Sequence, residues 1–477
     1  MIKWGLNLKF QVVLIYRLIN LKLLIFRKYF YMRKLFLLFL IFCSLATIAQ
    51  EVKPKATSIE FYGFVRFESY FDSYKGLNAA NEQFFIVPLY AGVDANGKHI
   101  NQTPSYNFSS MATRMGVRIS GPEILDAKTT ANIETDFAGD LGLNPAMLRV
   151  RQAYAMFSWS KTSLILGQTW HPFWSGKVFP IVGGLNTGCP FQPFNRSPQI
   201  RFDYKPNSKF ILSAALVSEF QYKSYGFTKI DSMYPKAMQY TDKSEVFNRN
   251  AAIPEMIANF ELNRGGFTLG AGTSLKYIQP TLYTVELVPG KDTKKYVSTE
   301  YLRALSFVGY GQYVKNKFTI KAKAVLGQNM THLNIPGGYG VKSVDPTTGG
   351  MTYTPYNTFT SFINAVYGSK YQVGIFAGYM QNLGTTDALY NFTPSNPTAL
   401  TINPQSVVTP GLVPQIASIY RIAPSLTINI SKLRLEFEYE LTSAAYGIGN
   451  INISNGLYAS SIDATNHRGQ LMMMYSF

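Results

Sequence analysis

The sequence predicts an all-β fold, a transmembrane antiparallel β-barrel of about sixteen strands. Residues 433–441 alternate apolar and charged side chains without exception, and similar segments recur about sixteen times along the chain. The connections between these segments alternate between short and long. A barrel with lipid outside and water inside requires period-2 alternation, and outer-membrane barrels have short periplasmic turns and long external loops. An even number of strands then places both termini in the periplasm; fourteen or eighteen strands would also fit.

The composition favours strands over spanning helices. The 477 residues include 32 Tyr and 34 Phe, and 47% of the chain is hydrophobic. After residue 50 no apolar run approaches the roughly 20 residues that a spanning helix requires. Aromatic side chains suit strands and the girdles at the two membrane interfaces. Because no linker or break in composition follows the N-terminal region, we expect residues 50–477 to form one barrel.

The N-terminal region differs from the rest of the chain. The first 50 residues carry eight basic residues and no acidic residue, so removing them lowers the net charge from +18 to +10. Arg33 and Lys34 precede an apolar run, and small residues allow cleavage after Ala49. This pattern predicts a secretory signal peptide at 32–49 and an over-extended N-terminus at 1–31.

Two other interpretations of this region are weaker. A transmembrane anchor at 10–26 would contain Arg17 and Lys22, whose insertion is costly near the centre of a span. A lipoprotein start at Cys43 would follow the bulky Phe42, where a small residue is expected.

The charged positions along the predicted strands indicate a lumen that is charged and filled with water. Leu148 and Val150 alternate with Arg149 and Arg151. An Arg or Lys that faced lipid at the midplane would cost about 2 to 4 kcal/mol, so these charges must face inward. The residues predicted to line the pore and bind anions are Arg66, Arg114, Arg118, Arg149, Arg151, Arg201, Lys321 and Lys323.

Acidic residues also fall on inward positions. We expect them to form an acidic counterwall to the basic residues, with a transverse field between the two. Each arginine could instead simply pair with a neighbour and brace the wall. The members of the predicted counterwall are Glu134, Asp136, Glu436, Glu438 and Glu440.

The third long loop, 171–198, is more apolar and aromatic than an external loop should be. Its apolar side chains must be buried, and folding into the barrel to narrow the pore achieves that. A subunit contact or a hydrophobic binding surface are the alternatives. The residues predicted to form this constriction are Phe173, Trp174, Phe179, Phe191, Phe194 and Arg196.

The final strand carries a predicted assembly signal. Tyr475 and Phe477 continue an outward apolar row and end the chain on an aromatic residue. Outer-membrane proteins present such a terminus to the β-barrel insertion machinery. The expected partners are therefore this machinery, outer-membrane lipid and lipopolysaccharide.

Several motifs between residues 112 and 203 resemble the DcaP-type trimeric porins. They are Thr-Arg-Met-Gly-Val-Arg at 113–118, Glu-Thr-Asp-Phe-Ala-Gly at 134–139, Leu-Arg-Val-Arg-Gln-Ala-Tyr at 148–154, Leu-Gly-Gln-Thr-Trp at 166–170 and Ser-Pro-Gln-Ile-Arg at 197–201. The resemblance implies a sixteen-stranded homotrimer with an inward third loop that passes small anions such as dicarboxylates. It also implies a pore-lining role for Arg114, Arg118, Arg149, Arg151 and Arg201.

The sequence gives little support to other functions. The four His are scattered, and no motif of a metal-dependent or nucleophilic hydrolase is present, so we expect no enzyme activity, metal or cofactor. Basic residues are spread along the strands, which argues against nucleic acid. The sequence predicts an outer-membrane porin of a Gram-negative bacterium for small, preferably anionic solutes. The alternative is a non-conducting barrel that acts as an adhesin or structural protein through its long loops.

Overall fold

A computed structural model describes residues 57–79, 82–141, 144–227, 241–285, 294–391 and 407–477. The predicted over-extended N-terminus and signal peptide lie outside these residues. Among the described residues no helix is long and apolar enough to cross a membrane.

Sixteen antiparallel strands close into a barrel, which confirms the predicted fold and strand number. The first strand pairs with the second on one edge, from Ser58 opposite Ser120, and with the last on the other, from Phe64 opposite Ser476. The strands are β1 Ser58–Asp72, β2 Ser105–Ser109 with Arg114–Ser120, β3 Lys128–Leu141, β4 Asn144–Ser158, β5 Thr162–Trp170, β6 Arg196–Tyr204, β7 Phe210–Val217, β8 Glu255–Arg264, β9 Phe267–Ile278, β10 Leu302–Lys315, β11 Phe318–Gln328, β12 Met351–Gly368, β13 Tyr371–Thr385, β14 Ile416–Ile430, β15 Leu433–Asn452 and β16 Leu457–Ser476.

The alternation in the sequence maps onto the two faces of the barrel. Phe437 is 57% exposed on the outside, whereas Glu436 and Glu438 on either side of it are 1% and 2% exposed. Apolar residues such as Phe61 and Ile363 form a belt around the outside. A continuous apolar surface of this extent is unusual for a protein in water and fits a lipid-facing wall.

The connections at one end of the barrel are all short, as the sequence predicts. Seven short connections lie at one end of the barrel, and four of them contain only two residues, among them 265–266 and 316–317. Gly265 and Asn316 begin these turns with positive φ angles of 54° and 53°. Glycine and asparagine tolerate this conformation, which tight hairpins require.

Two connections predicted as long loops are strands instead. The sequence predicts long loops near 140–146 and 448–464, but β3 extends to Leu141 and β4 begins at Asn144, and only residues 453–456 join β15 to β16. Each of β15 and β16 has 20 residues. About 10 tilted residues suffice to span the apolar band, so these strands continue beyond it, where water on both faces removes the alternation signal.

The long loops contain short elements of their own. These are the paired strands Gly76–Ala79 and Phe84–Pro88, Tyr225–Phe227 and Thr241–Lys243, and Tyr283–Val285 and Lys295–Val297, the strands Gly337–Val344 and Gly411–Leu412, the helix Val246–Asn250, and the 3₁₀ turns Pro172–Trp174 and Thr331–Leu333.

The first long loop, 73–104, also folds inward, although the sequence predicts a polar external loop. Phe84, Phe85 and Val87 of its hairpin are at most 3% exposed. Phe84 and Val87 belong to a buried cluster that includes third-loop residues and inner-wall residues of β12–β16. The signal in the sequence is the apolar run 84–87. Burial of these side chains inside the lumen is more favourable than their exposure to water.

Candidate functional site: a chamber of arginines and aromatic residues

The third loop, L3, comprises residues 171–195 and lies against the inner wall of the barrel. Its base is closed by a hydrogen bond from the His171 backbone N–H to the Asn195 carbonyl, with an N–O distance of 3.0 Å. The Pro172–Trp174 turn follows, and Nδ1 of His171 accepts from the backbone N–H of Phe173 at 3.2 Å. The aromatic side chains of L3 that were predicted to need burial are buried: Phe173, Trp174, Phe191 and Phe194 are at most 5% exposed.

Two lysines of β11 hold the first part of L3. Nζ of Lys323 donates to the carbonyls of Phe173 and Trp174 at 3.1 and 2.7 Å, and Nζ of Lys321 donates to the Phe179 carbonyl at 3.0 Å. Lys323 is 2% exposed. The sequence predicts an anion-binding role for both lysines, but here their ammonium groups are engaged by the loop.

Charges of β14 and β15 hold the second part of L3. The Glu438 carboxylate accepts from the backbone N–H groups of Gly183 and Gly184 at 2.8 and 3.1 Å. Nη1 of Arg421, which the sequence prediction did not include, donates to the Cys189 carbonyl at 2.8 Å. A buried carboxylate is stable in this position because charged hydrogen bonds replace its hydration.

The two other acidic residues predicted on β15 have local partners. Glu436 pairs with Arg434 at 2.6 Å, and Glu440 pairs with Arg421 at 3.2 Å. The acidic residues of β15 therefore bind the loop or a neighbouring arginine in this structure.

Glu134 and Asp136 lie within the arginine wall and not opposite to it, so their predicted place in a counterwall is wrong. Both are on β3, between the arginines of β2 and β4. Asp136 forms a bidentate pair with Arg149, at 2.9 and 2.8 Å, and also accepts from Arg151 at 2.6 Å. Glu134 accepts from Arg151 at 2.8 Å and lies 3.7 Å from Nε of Arg114. Period-2 alternation shows that these charges face inward but not how they pair across strands.

The other predicted basic residues are distributed along the wall. Arg118 pairs with Glu60 at 3.4 Å towards the short-turn end, and its side chain is 57% exposed. Arg201 pairs with Asp203 on its own strand at 2.8 Å. Arg66 contacts Glu68 and also donates to a carbonyl of L3.

A cavity of about 850 Å³ lies between L3 and the arginine wall. We call it the arginine chamber. It brings together four of the arginines predicted to line the pore, one predicted for the constriction, and several aromatic residues of L3 and its flanks. Its lining includes Arg66, Arg114, Arg149, Arg151, Arg196, Trp170, Trp174, Phe179, Phe194, Gln221, Tyr222, Lys223 and Lys243.

One side of the chamber is a stack of rings between two cations. The Arg196 guanidinium lies 4.4 Å from the ring centre of Trp170, whose indole stacks on Trp174 at 4.0 Å and 9°. Trp174 stacks in turn on Phe179 at 5.2 Å, and Nζ of Lys321 lies 4.9 Å from that ring. Ring faces are electronegative and ring edges electropositive. Because cations and other rings cover these faces, mainly the electropositive edges remain for the chamber.

Three buried donors around the chamber lack a hydrogen-bond partner among the described residues: Nε of Arg114, Nη1 of Arg196 and Nε2 of Gln221. Arg196 is 1% exposed, and none of the described ion pairs includes it. A buried, unpaired guanidinium is costly. Donors of this kind are suited to hydrogen bonds with negatively charged oxygen atoms. Gln221 has no signal in the sequence, because it lies in a polar stretch after β7.

A second cluster beside the base of L3 contains the residue types of a metal site: His171, Glu255 and His332. Both Nε2 atoms face the Glu255 carboxylate, at 3.3 and 3.1 Å. His171 Nδ1 accepts from a backbone N–H, so its Nε2 carries the proton and donates to Glu255. Nδ1 of His332 lies 2.7 Å from the Lys276 ammonium, which fixes the same tautomer. The trio is thus a hydrogen-bonded clasp between L3, β8 and the loop after β11, and its protons occupy the lone pairs that a metal would need.

The predicted assembly signal lies on the outside of the barrel. Tyr475 and Phe477 are 50% and 52% exposed on the outer face, and the Phe477 backbone N–H donates to the Gly63 carbonyl at 3.1 Å. The histidine of the last strand, His467, contacts the hydroxyl of Tyr439 at 2.7 Å.

No family model and no curated protein sequence matches the chain. Among solved structures it is similar to the outer-membrane channel DcaP of Acinetobacter baumannii, with a TM-score of 0.59 and 15% identity over 88% of this chain and 98% of that one. It is also similar to in-vitro folded OmpT of Vibrio cholerae, with a TM-score of 0.49 and 10% identity over 90% of this chain and 100% of that one. A third structure is Salmonella typhi OmpF in complex with daunomycin, with a TM-score of 0.41 and 11% identity over 88% of this chain and 97% of that one. The likeness to DcaP shows a shared fold. With its apolar outer belt, this closed barrel is an outer-membrane protein of a Gram-negative bacterium with the fold of a DcaP-like porin.

Proposed function

We propose that the protein is a porin that allows small hydrophilic solutes to diffuse passively across the outer membrane and that favours anions. The observation that carries this proposal is the arginine chamber. Five arginines line it, and three carboxylates, Glu68, Glu134 and Asp136, pair with them. Among the described groups the arginines thus outnumber their acidic partners by two.

An anion in the chamber would exchange part of its hydration for the three donors that have no hydrogen-bond partner in the described part of the chain. Arg114, Arg196 and Gln221 provide these donors. The paired arginines would offer weaker contacts, because their carboxylates compete. Conduction requires binding that is favourable enough for a solute to enter but weak enough for it to leave, and a few strong donors among paired charges meet this requirement.

Small dicarboxylates are the solutes we propose. The volume of about 850 Å³ exceeds that of a small organic anion with its remaining water. The resemblance of residues 112–203 to DcaP-type porins supports the same class. On the same basis we propose a homotrimer, and recognition of Tyr475 and Phe477 by the β-barrel insertion machinery in a membrane that contains lipopolysaccharide.

A second function, a closed barrel that acts as an adhesin or structural protein, has one observation in its favour. The hairpin of the first loop and L3 both occupy the lumen, and the rings of Phe84 and Phe194 are in contact at 4.8 Å. Such a double insertion could plug the barrel. A plugged barrel would not conduct ions, whereas a porin would.

Planar bilayers and liposome swelling distinguish the two functions. We expect the refolded protein to form steady channels and to admit succinate faster than a neutral sugar of similar size. The double variant Arg114→Gln/Arg196→Gln should lower the succinate rate several-fold and leave the sugar rate nearly unchanged. Arg118→Gln is the matched control, because Arg118 lies on the strand of Arg114 but outside the chamber. Absence of any conductance would exclude the porin, and equal rates of succinate and sugar entry would exclude the anion preference.

A further inference from the structure

The short-turn end of the barrel carries a basic surface that the pore does not use. The turns after β10 and β12 lie side by side, because the Gly368 backbone N–H donates to the Lys317 carbonyl at 3.0 Å and Phe318 pairs with Tyr367. Lys315 ends β10, Lys317 lies in the first turn, and Lys370 lies in the second. Three lysines therefore occupy adjacent turns.

Aromatic rings on the lipid-facing side border these lysines. Tyr367 and Tyr371 are 59% and 63% exposed and continue the outer rows of Ile363 and Ile375. Two surface cavities of about 470 and 370 Å³ adjoin here and share Lys317 and Tyr367 in their lining. Because half-exposed tyrosines mark the boundary between hydrocarbon and headgroups, the cavities lie at headgroup depth.

The three ammonium groups are not neutralised within the described part of the chain. The ion pairs between described residues engage Lys177, Lys223, Lys276 and Lys342, and none of the three lysines of this surface. Lys370 Nζ lies 5.5 Å from the ring centre of Tyr371. Lysine at a membrane interface extends its ammonium towards the headgroups while its stem covers apolar surface.

We propose that Lys315, Lys317 and Lys370, with Tyr367 and Tyr371, form a binding site for an anionic phospholipid of the leaflet at the short-turn end. The lipid phosphate contacts the ammonium groups, its headgroup fills the two cavities, and its acyl chains run along the outer face of β11–β13. Charge complementarity selects an anionic lipid, because each lysine near the surface contributes about fivefold to its binding. This site is independent of the pore.

Native mass spectrometry of the refolded protein in detergent tests this proposal, with titration of phosphatidylglycerol, phosphatidylcholine or inorganic phosphate. We expect the wild type to bind phosphatidylglycerol much more tightly than phosphatidylcholine. The variant Lys315→Gln/Lys317→Gln/Lys370→Gln should lose affinity for phosphatidylglycerol by on the order of a hundredfold. Its conductance and its heat-dependent shift in gel mobility should stay unchanged, and Lys317→Gln alone provides the test if the triple variant does not fold.

The control variant, Lys161→Gln/Lys205→Gln/Lys209→Gln, makes the same change in charge on the turns after β4 and β6. It should keep most of the affinity. An equal loss in both variants would reveal diffuse charge attraction and overturn the site. Displacement of phosphatidylglycerol by an equimolar amount of inorganic phosphate would show that free phosphate, and not a lipid, is the ligand.

Discussion

The two halves of the lumen wall use their inward charges differently. On β2–β4, arginines and carboxylates pair across neighbouring strands around an open chamber, and Nε of Arg114 has no hydrogen-bond partner among the described residues. On β11–β15, Lys323, Arg421 and Glu438 direct their charges at the backbone of L3. The first half therefore carries the charges that we propose a solute contacts, and the second half uses its charges to hold L3 against the wall.

This difference shows that an inward charge is not necessarily a free charge. A lysine that donates to two buried carbonyls has few donors left for an anion, whereas a guanidinium has five N–H groups and can satisfy a carboxylate and still bind a solute. Residue type and loop contacts together separate a selectivity filter from a loop anchor.

The largest effect should follow from the release of L3. Glu438→Ala leaves two buried N–H groups without an acceptor, at a cost of about 1 to 3 kcal/mol each. We expect L3 to detach locally and single-channel conductance to rise about twofold, with more current noise. Glu60→Ala removes an exposed carboxylate outside the chamber and is the control. Unchanged conductance of the Glu438 variant would mean that L3 does not limit the pore.

A smaller effect should follow from the removal of a carboxylate in the arginine wall. Asp136→Asn frees the donors of Arg149 and Arg151, so the anion-to-cation permeability ratio should increase about twofold. Asp203→Asn is matched to it, because Asp203 pairs with Arg201 outside the chamber. If the Asp136 variant became less anion-selective, the arginine wall would not be the filter.

The loop-anchoring lysines should affect selectivity less than the chamber arginines. Lys321→Gln removes a charge that already binds the Phe179 carbonyl. We expect a shift in reversal potential of at most about a quarter of that caused by Arg114→Gln. Equal shifts for the two variants would abolish the distinction between the two halves of the wall.

The smallest effect concerns pH and the clasp at the base of L3. Burial, with a further contribution from the Lys276 charge, lowers the pKa of His332 from its ordinary 6.5. Below pH 6.5 His332 is protonated in unfolded chains but not in the folded protein. The contribution of neutral His332 to the free energy of unfolding is therefore fully present above that pH, and it declines as the pH falls towards the folded pKa. The thermal unfolding midpoint should be lower at about pH 5.5 than at about pH 7.5, and His332→Gln should reduce this difference. An undiminished difference in the variant would assign it to other groups.

The fold could be predicted because alternation is a direct consequence of a wall between lipid and water. The sequence alone predicts which face of the barrel is occupied by each of Leu148, Arg149, Val150 and Arg151. The two-residue turns can be predicted equally well. Strand ends beyond the membrane could not be predicted, because β15 and β16 have water on both faces there.

The chamber could be predicted only in part. Its arginines follow from inward alternation and L3 from its aromatic residues, but Gln221 and the partners of Glu134 depend on strand register and on loop contacts between residues far apart in sequence. The strand 84–88 of the inward hairpin is visibly apolar in the sequence. Its packing against Phe194, which accounts for this composition, is visible only in the structure.

The reversal potential under a salt gradient tests the central claim most directly. The arginine chamber predicts that wild-type channels favour chloride over potassium and that Arg114→Gln/Arg196→Gln shifts the reversal potential most of the way towards that of a non-selective pore. Screening predicts a weaker preference at 1 M salt than at 0.1 M, because the Debye length falls from about 10 to 3 Å. A wild-type channel that favours potassium, or a double variant with an unchanged reversal potential, would contradict the account.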